Sequence, residues 1–466
     1  MARFLFAWRI WSIVSMQLKL NINNRCPILM YSHFSSVLDN VVHKSGQIVL
    51  AFSGGVDSRV LLHLLAHYQR SHPELKCIAV HVHHGLSNEA DNWAQLCSQW
   101  CRSYGIDISI ERVKLNLGSQ ISTEQEARDK RYQVLGNYIE KGDVLLTGQH
   151  ANDQVETFLL ALKRGSGPKG LSSMAERAPF RQGLLVRPLL SITQDQIHQY
   201  AQDENLKWVE DTSNSDTSFD RNFLRHQIVP ALTSRWPGIE KSVLRSAKLC
   251  ADQESLLDQL LQEKLDELVD ANSGISISKL SQQSELARNQ LLRMWLGQHN
   301  CLMPSAKQLS LIWTEVALSK TDASPKLQLV SGVIRRFKGA LYCTCHHEDV
   351  SQWTSVIRLG ETITLPDHLG EVGFIRTTLP STMGLRAPRP NEKVWIGFEP
   401  EGLIAHPTNR GHKRKLKKLF QEYSVPSWLR KRTPIIMYDD KLALVADLFV
   451  DKDFYGHDCE IVWNQV

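Results

Sequence analysis

The stretch "IVLAFSGGVDSRVLLHLL", residues 48–65, joins an apolar, β-rich run to a helical pattern through the turn Ser-Gly-Gly-Val-Asp-Ser. Two adjacent glycines let a backbone turn tightly and bring N–H groups close to an anion. Asp57 and Ser58 then open the helix, whose unpaired first-turn N–H groups attract phosphate. The Lys of the common nucleotide loop, G-x-x-x-x-G-K-S/T, is missing. An acidic residue in a phosphate cradle repels its ligand unless a divalent cation lies between them, so Asp57 points to Mg²⁺ bridging to pyrophosphate. The plain alternative is a strand–turn–helix corner with a capping Ser.

Working outward, "QIVLAF" (47–52), "CIAVHVHH" (77–84), "DISIERV" (107–113) and "DVLLTGQH" (143–150) are short and β-rich. Between them, Val60, Leu61, Leu64 and Leu65 recur at helical spacing, as do Trp93, Leu96, Cys97 and Trp100. This alternation predicts an α/β fold: a parallel-sheet nucleotide-binding domain with helices on both faces and ligands at the carboxyl ends of the strands. After residue 238 the texture changes. "SAKLCADQESLLDQLLQEKLDELV" (246–269) reads as a long amphipathic helix, and from about residue 325 short strands take over, as in "KLQLVSGVIRRFKGALYCTC". The expected layout is an N-terminal extension over 1–40, a catalytic domain over 41–232, a helical domain over 233–345 and a small α+β domain over 352–466.

Composition sets bounds on function. Lys+Arg 54 against Asp+Glu 49 leaves a net charge of +5, too small to name a partner by itself. Nine cysteines, an odd number without repeated spacing, argue against a disulfide framework and for a reducing cytoplasm. The N-terminal "MARFLFAWRIWSIVSMQLKLN" is interrupted by Arg9, lacks a clean cleavage site, and is too short and polar to span a bilayer. Met16 or Met30 is a candidate true start, which would leave residues 1–29 outside the fold.

The loop "SGGVDS" after a strand resembles that of the ATP-dependent adenylating synthetases, which cleave ATP between the α and β phosphates. That resemblance accounts for the missing Lys, since a loop that holds pyrophosphate as leaving group need not look like a γ-phosphate transfer loop. Further stretches narrow it to the tRNA(Ile)-lysidine synthetases of the longer bacterial kind: "HVHHGLS" (81–87), "EQEARDKRY" (124–132), "GQHANDQVETFLLALKRGSGPKGLSSM" (148–174), "RPLL" (187–190), "EDTSNSDTSFDRNFLRHQIVP" (210–230) and "KLKKLFQEYSVPSWLR" (415–430). The family's reaction adenylates O2 of the wobble cytidine in an isoleucine tRNA with a CAU anticodon. The ε-amine of free L-lysine then attacks C2 and expels AMP, and the anticodon comes to read AUA instead of AUG.

The resemblance implies that Ser53, Gly54, Gly55, Val56, Asp57 and Ser58 hold ATP, with Asp57 the Mg²⁺ ligand. Asp153 and Glu156, at i and i+3, share one face if helical. The family resemblance makes them the recognisers of lysine, with Asp153 also helping to deprotonate the amine. The family usually shows two successive Asp residues here, whereas this chain has Asn152 before Asp153. Arg128 and Arg221 are candidates to stabilise charge on the adenylate or to contact substrate phosphate, with Arg131 and Arg225 close competitors. His83 and His84 could bind metal or nucleotide, or pack a loop. "RGSGPKG" (164–170) is either a loop closing over the site or a helix cap.

Two patterns read as decoys. "CTCHH" (343–347) lacks a second ligand set nearby, and Cys97 and Cys101 at i, i+4 beside Trp93 and Trp100 look like core. In "RGHKRKLKKLFQ" (410–421), Arg410, Lys413, Arg414, Lys415, Lys417 and Lys418 surround Leu416, Leu419 and Phe420 at helical spacing. The expectation is an apolar face below and a phosphate-binding surface for tRNA above. A solvated helix or an anionic-membrane contact would give the same pattern. The rival functions are a tRNA thiolase, which needs cysteines in the catalytic domain, a GMP or NAD synthetase relative, and a non-catalytic tRNA-binding protein on an old nucleotide fold.

Overall fold

The apolar run after Gly46 forms β1 (Gln47–Ala51), flanked in parallel by β2 (Lys76–His83) and β4 (Val144–Leu146). Ile48, Val49 and Leu50 are wholly buried because both faces of this strand are covered, the reason it reads as a continuous apolar run without alternation. The computed structural model describes residues 25–42, 46–85, 87, 89–115, 123–211, 215–299, 301–320, 323, 325–344, 347–377, 381 and 383–465. The chain divides into two compact units, residues 1–259 and 260–466.

In the first unit the sheet runs β3-β2-β1-β4-β6-β5, where β3 is Asp107–Arg112, β5 Arg177–Phe180 and β6 Gly183–Val186. Every pairing is parallel except β5 with β6. On one face Ile48, Leu50, Leu146 and Val186 share a core with the helices Arg25–Asp39, Val56–Ser71, Ala90–Tyr104 and Gln194–Asp203. On the other, Val49, Val80, Leu145 and Leu185 pack with Leu135 and Ile139, at and beyond the end of the helix Thr123–Gly136. Each fully buried Leu or Ile contributes about 1.5–3 kcal/mol relative to exposure, so this two-faced core is what fixes the positions of the strand ends.

The strand order reverses between β1 and β4, the successive strands β2 and β3 lying on one side and β4 on the other. At such a point the loops leaving the carboxyl ends part and leave a crevice. The four strands expected from sequence all form. The β5–β6 hairpin is an addition that the pattern does not announce, since "RAPF" carries Arg177 and Pro179. Proline is tolerated there because β5 is the edge strand and needs no outward N–H. The helix Arg25–Asp39 falls within the stretch read as an N-terminal extension, and its Met30, Phe34 and Leu38 are buried in the sheet's core.

In the second unit, the stretch expected to be helical also holds a four-stranded antiparallel sheet, ordered β7-β10-β9-β8. Here β7 is Ile275–Ser276, β8 Lys326–Leu329, β9 Gly332–Phe337 and β10 Ala340–Thr344, packed with Trp295 and Leu292 of the helix Glu285–Gln298. The long helix expected over 246–269 forms as Ile239–Leu268, with its greater part in the first unit. Beyond residue 350 follow antiparallel sheets of five and four strands, whose shared core includes Phe374, Phe398 and Tyr438, a two-stranded pair of Ile404–Ala405 with Arg414–Lys415, and the short helix Leu416–Glu422. No described helix is long and apolar enough to cross a membrane.

Cys97 and Cys101 lie wholly within the first core, and burial pushes both thiols up to about 12. Thiolate is the reactive form. Brief treatment of the native protein with iodoacetamide at mildly alkaline pH should therefore label Cys250 before either of them, and peptide mass mapping before and after unfolding checks this. Rapid labelling of Cys101 in the native state would contradict the packing described.

Candidate active site

The loop after β1 is held by its own side chains. Gly54 has φ +90°, a left-handed conformation, and a β-carbon there would lie 2.8 Å from Val209 Cγ2 and 2.9 Å from Cys97 Sγ, so only glycine fits without a shift. The Gly54 N–H donates to Ser58 Oγ (3.1 Å), Ser58 Oγ donates to the Gly55 carbonyl (3.0 Å), and Ser53 Oγ lies 3.0 Å from Ser58 Oγ. Ser58 thus braces the turn from inside. Gly55 caps the helix Val56–Ser71 in an extended conformation, with Asp57 in its first turn.

The loop after β4 comes down onto that turn. A β-carbon on Gly148 would lie 3.2 Å from Asp57 Cβ and 3.3 Å from the Ser58 nitrogen. Two residues on, His150 is buried with Nε2 3.8 Å from Asp57 Oδ1 and 3.5 Å from Asp153 Oδ2. The His150 backbone N–H donates to Asp153 Oδ2 (3.0 Å), capping the helix Ala151–Lys163. Sequence reasoning passed over His150. Its signal was its place, the last residue before the acidic helix at the carboxyl end of a central strand.

Asp57, Asp153, Arg128, Arg131 and Arg221 line one cavity of about 460 Å³, together with Ser53, Gly55, Ser58, His83 and His84. Gly54 and Val56 shape the loop behind this lining. Arg128 and Arg131 both hold their guanidinium groups over the Tyr132 ring, at 5.1 and 5.7 Å, so position does not separate these two competitors. His83 Nε2 meets Asp91 at 3.2 Å, which itself accepts from Arg112 (2.6 Å). Burial pushes the imidazole of His84 down to about 4, with Arg131 adding to the effect, so His84 is neutral at neutral pH.

Asp153 and Glu156 share a helix face, but they are not equivalent. Asp153 lines the cavity, whereas neither Glu156 nor Arg225 does. Glu156 is almost wholly buried behind Arg225, which donates from Nε to Oε1 (2.7 Å) and from Nη2 to Oε2 (3.0 Å), and from Nη2 also to Asp153 Oδ1 (3.0 Å). Burial pushes the Glu156 carboxyl up and Arg225 draws it back, while the acids around Arg225 favour its charged form. The two-point contact is that of an ion pair. Arg221 stands at the edge of this group, Nε 3.6 Å from Glu156 Oε2 and Nη2 3.4 Å from Thr157 Oγ1.

Asn152 serves elsewhere, its Oδ1 accepting the backbone N–H of Gln194 (3.0 Å), the first residue of the helix Gln194–Asp203. An uncharged amide suffices there. In "RGSGPKG", Gly165 donates to the Leu162 carbonyl and Ser166 to that of Ala161, the pattern of a Schellman cap. Gln154 then ties the returning chain at Met174 through two hydrogen bonds. This stretch does not line the cavity.

The basic run lies in the second unit. Leu416, Leu419 and Phe420 are fully buried, and the lysines around them are exposed. Arg410 and Arg414 both pair with Glu422, and Lys413 stands 3.8 Å from Asp453. Among the described residues no acid pairs with Lys415, Lys417 or Lys418. In "CTCHH", Cys343 Sγ lies 3.1 Å from Cys301 Sγ, while Cys345 and His346 lie outside the described residues. No group of three or more potential metal ligands occurs among the described residues.

Comparison with known proteins adds independent findings. The PP-loop domain family matches residues 30–232, the TilS substrate binding domain 275–342 and the TilS substrate C-terminal domain 394–464. The chain is 55% identical to a tRNA(Ile)-lysidine synthase of Vibrio vulnificus, covering 94% of this chain and 99% of that protein. It is 53% identical to one of Vibrio campbellii at the same coverage of both chains. A solved U34-tRNA thiolase NcsA of Methanococcus maripaludis aligns at 18% identity over 49% of this chain and 80% of its own, with a TM-score of 0.41.

The loop geometry sets a stability test. Asp57 keeps part of its side chain open to the cavity, but its Oδ1 is sealed and accepts no hydrogen bond. Burial holds this carboxyl above its ordinary value of 3.8, with Asp153 adding to the rise and His150 and Arg225 opposing it. Because the folded value is raised, the stability this group contributes is full below the unfolded value and is lost as pH climbs through the folded one. Asp57→Asn should therefore raise the urea midpoint at neutral pH, with the gain vanishing in acid. Gly54→Ala should cost about 1–3 kcal/mol at every pH, from strain and overpacking.

Proposed function

The chain belongs to the tRNA(Ile)-lysidine synthase family, and from that membership we propose that it joins free L-lysine to the wobble cytidine of a CAU-anticodon isoleucine tRNA, in the cytoplasm, through an adenylated cytidine. As a member it is a ligase with a PP-loop domain that uses ATP. The observation that carries the residue assignment is that one cavity gathers the phosphate-type turn, the carboxylates Asp57, Asp153 and Asp211 and three arginines at the carboxyl ends of β1 and β4.

The geometry supports the following roles. The first-turn N–H groups of Val56–Ser71 lack intrahelical acceptors and face the departing pyrophosphate. The sealed oxygen of Asp57, without a hydrogen-bond donor, fits a cation ligand, and Asp57 would hold Mg²⁺. When bound, that ion neutralises phosphate charge and makes pyrophosphate a better leaving group. Arg128 and Arg221 stabilise charge on the adenylate. Asp153 receives the lysine amine, oriented by the His150 backbone and Arg225.

Against the thiolase reading, no cysteine lines the cavity among the described residues, and Cys77, Cys97 and Cys101 are buried with raised thiol values. The domain roles we propose are catalysis over 41–232, with 233–345 and 352–466 gripping the RNA. Lys415, Lys417 and Lys418, which pair with no acid among the described residues, supply a phosphate-binding surface, while Arg410 and Arg414 are partly neutralised by Glu422.

Two measurements test this. Purified protein incubated with ATP, labelled lysine and the CAU isoleucine tRNA transcript should place label in the RNA. Asp57→Ala should abolish both that and pyrophosphate exchange into ATP; full-speed activity in the variant would refute the role of Asp57. Binding of the tRNA should weaken steeply with salt, and Lys417→Glu with Lys418→Glu should flatten the log–log slope by about one per lysine. An unchanged slope would remove the patch from the RNA interface.

A further inference from the structure

The run "CTCHH" supplies no metal-ligand set among the described residues, yet its first cysteine meets a sulfur 42 positions away in the chain. Cys343 lies in β10 opposite Ile334 of β9, and its Sγ stands 3.1 Å from Cys301 Sγ. Backbone hydrogen bonds fix both ends of this contact. Cys343 sits inside the antiparallel ladder that runs from Ala340 to Thr344. Cys301 follows the helix Glu285–Gln298, where its N–H donates to the Leu296 carbonyl (3.1 Å) and the N–H of Leu302 donates to Ser331 Oγ (2.8 Å). The residue beside both sulfurs is Gly332. A β-carbon there would lie 3.4 Å from Cys343 Sγ and 3.7 Å from Cys301 Sγ, so glycine leaves the pair room to close.

The two thiols differ in depth. Cys301 is 7% exposed and belongs to a core with Leu296, Leu329 and Ile334, while Cys343 is half-buried at the edge of that core. An oxidant from solution therefore meets Cys343 first. An oxidised thiol climbs from sulfenic to sulfinic to sulfonic acid unless a second thiol intervenes. Sulfinic acid at Cys343 would set a negative charge against an apolar core, which is costly. A disulfide carries no charge, and the two sulfurs need to approach by only about 1 Å to reach bonding distance.

We propose that Cys301 and Cys343 form a modification site for hydroperoxides, at which Cys343 is oxidised first and Cys301 captures it as a reversible intramolecular disulfide. In the first step the Cys343 thiolate attacks one oxygen of the hydroperoxide. The S–O bond forms, the O–O bond breaks, and hydroxide (or alkoxide) leaves with the electron pair. In the second step the Cys301 thiolate attacks the Cys343 sulfur, the S–S bond forms, and the S–O bond breaks with loss of hydroxide. The two thiol protons end on the departing oxygens. Two thiols and hydrogen peroxide thus give one disulfide and two waters, with both electrons taken from sulfur. A dithiol reductant restores the thiols through a mixed disulfide, as befits a transient bond in a reducing compartment.

The test treats full-length native protein with hydrogen peroxide, blocks the remaining thiols by alkylation, and maps peptides by mass spectrometry without reductant. The linked Cys301–Cys343 peptide should appear and should vanish on treatment with dithiothreitol. This measurement needs no variant. Cys250, also half-buried, is the internal reference for the peroxide dose. In Cys301→Ala, Cys343 should react with a sulfenic-acid trap and accumulate severalfold more sulfinic acid, which dithiothreitol does not reverse. In Cys343→Ala, Cys301 should remain a thiol at a dose that oxidises Cys250.

Oxidation of Cys250 without the Cys301–Cys343 link would overturn the proposal. A link from Cys343 to Cys345 in place of Cys301 would do the same. Equal sulfinic acid at Cys343 in the native protein and in Cys301→Ala would remove the capturing role of Cys301. Stoichiometric zinc that protects both thiols until it is chelated would overturn the proposal too, and would make the cluster a metal site. The mapping reads no tRNA chemistry, so its failure leaves the ligase reading where it stands.

Discussion

Gly148 lies against the first turn of the helix Val56–Ser71 so closely that any side chain there would press on Asp57 and Ser58. This contact exists because β1 and β4 are parallel neighbours and because their buried residues fix both strands in register, Ile48 opposite Val144 and Leu50 opposite Leu146. A slip of one residue would turn the apolar set of β4 to the wrong face. The same register sets the loop "SGGVDS" beside the loop "TGQH". Asp57 thereby comes within reach of His150 and Asp153, which are distant from it in sequence.

The site is built from opposed charges at different depths. Asp57 and Asp153 face the cavity with Arg128, Arg131 and Arg221, while Glu156 and Arg225 stand behind as a buried pair. A lone buried carboxylate is costly, and the positions of Glu156 and Arg225 are explained by each other. Asp57 lacks such a partner for its sealed oxygen. An oxygen left that way in a core would be a defect. In the proposed site it is the atom that would take a cation, and the well-packed core around the loop carries its cost.

In the second unit the basic run obeys a division of labour that charge counting misses. Its apolar residues Leu416, Leu419 and Phe420 anchor the short helix in a core with Ile435 and Met437. Glu422, at the end of that helix, takes up Arg410 and Arg414, whereas Lys415, Lys417 and Lys418 are left to solvent or to a phosphate. A surface of this kind attracts phosphates without reading bases.

Much of this molecule was legible in the chain alone. Strand–helix alternation over 47–150 announced a parallel sheet, because the periods of buried strands and amphipathic helices are local properties. The tight glycine turn carrying Asp57 and the shared helix face of Asp153 and Glu156 were legible for the same reason. The β5–β6 hairpin was hidden, since Pro179 on an edge strand looks like a breaker until the edge is known. Tertiary structure alone decided that His150 lies between Asp57 and Asp153, that Arg225 and not Arg221 grips both acids, that Asn152 caps a different helix, and that Glu156 is sealed from the cavity. Sequence spacing tells which residues share an element's face. Which faces meet depends on the packing of elements far apart in the chain, and there the pairing of charges is settled.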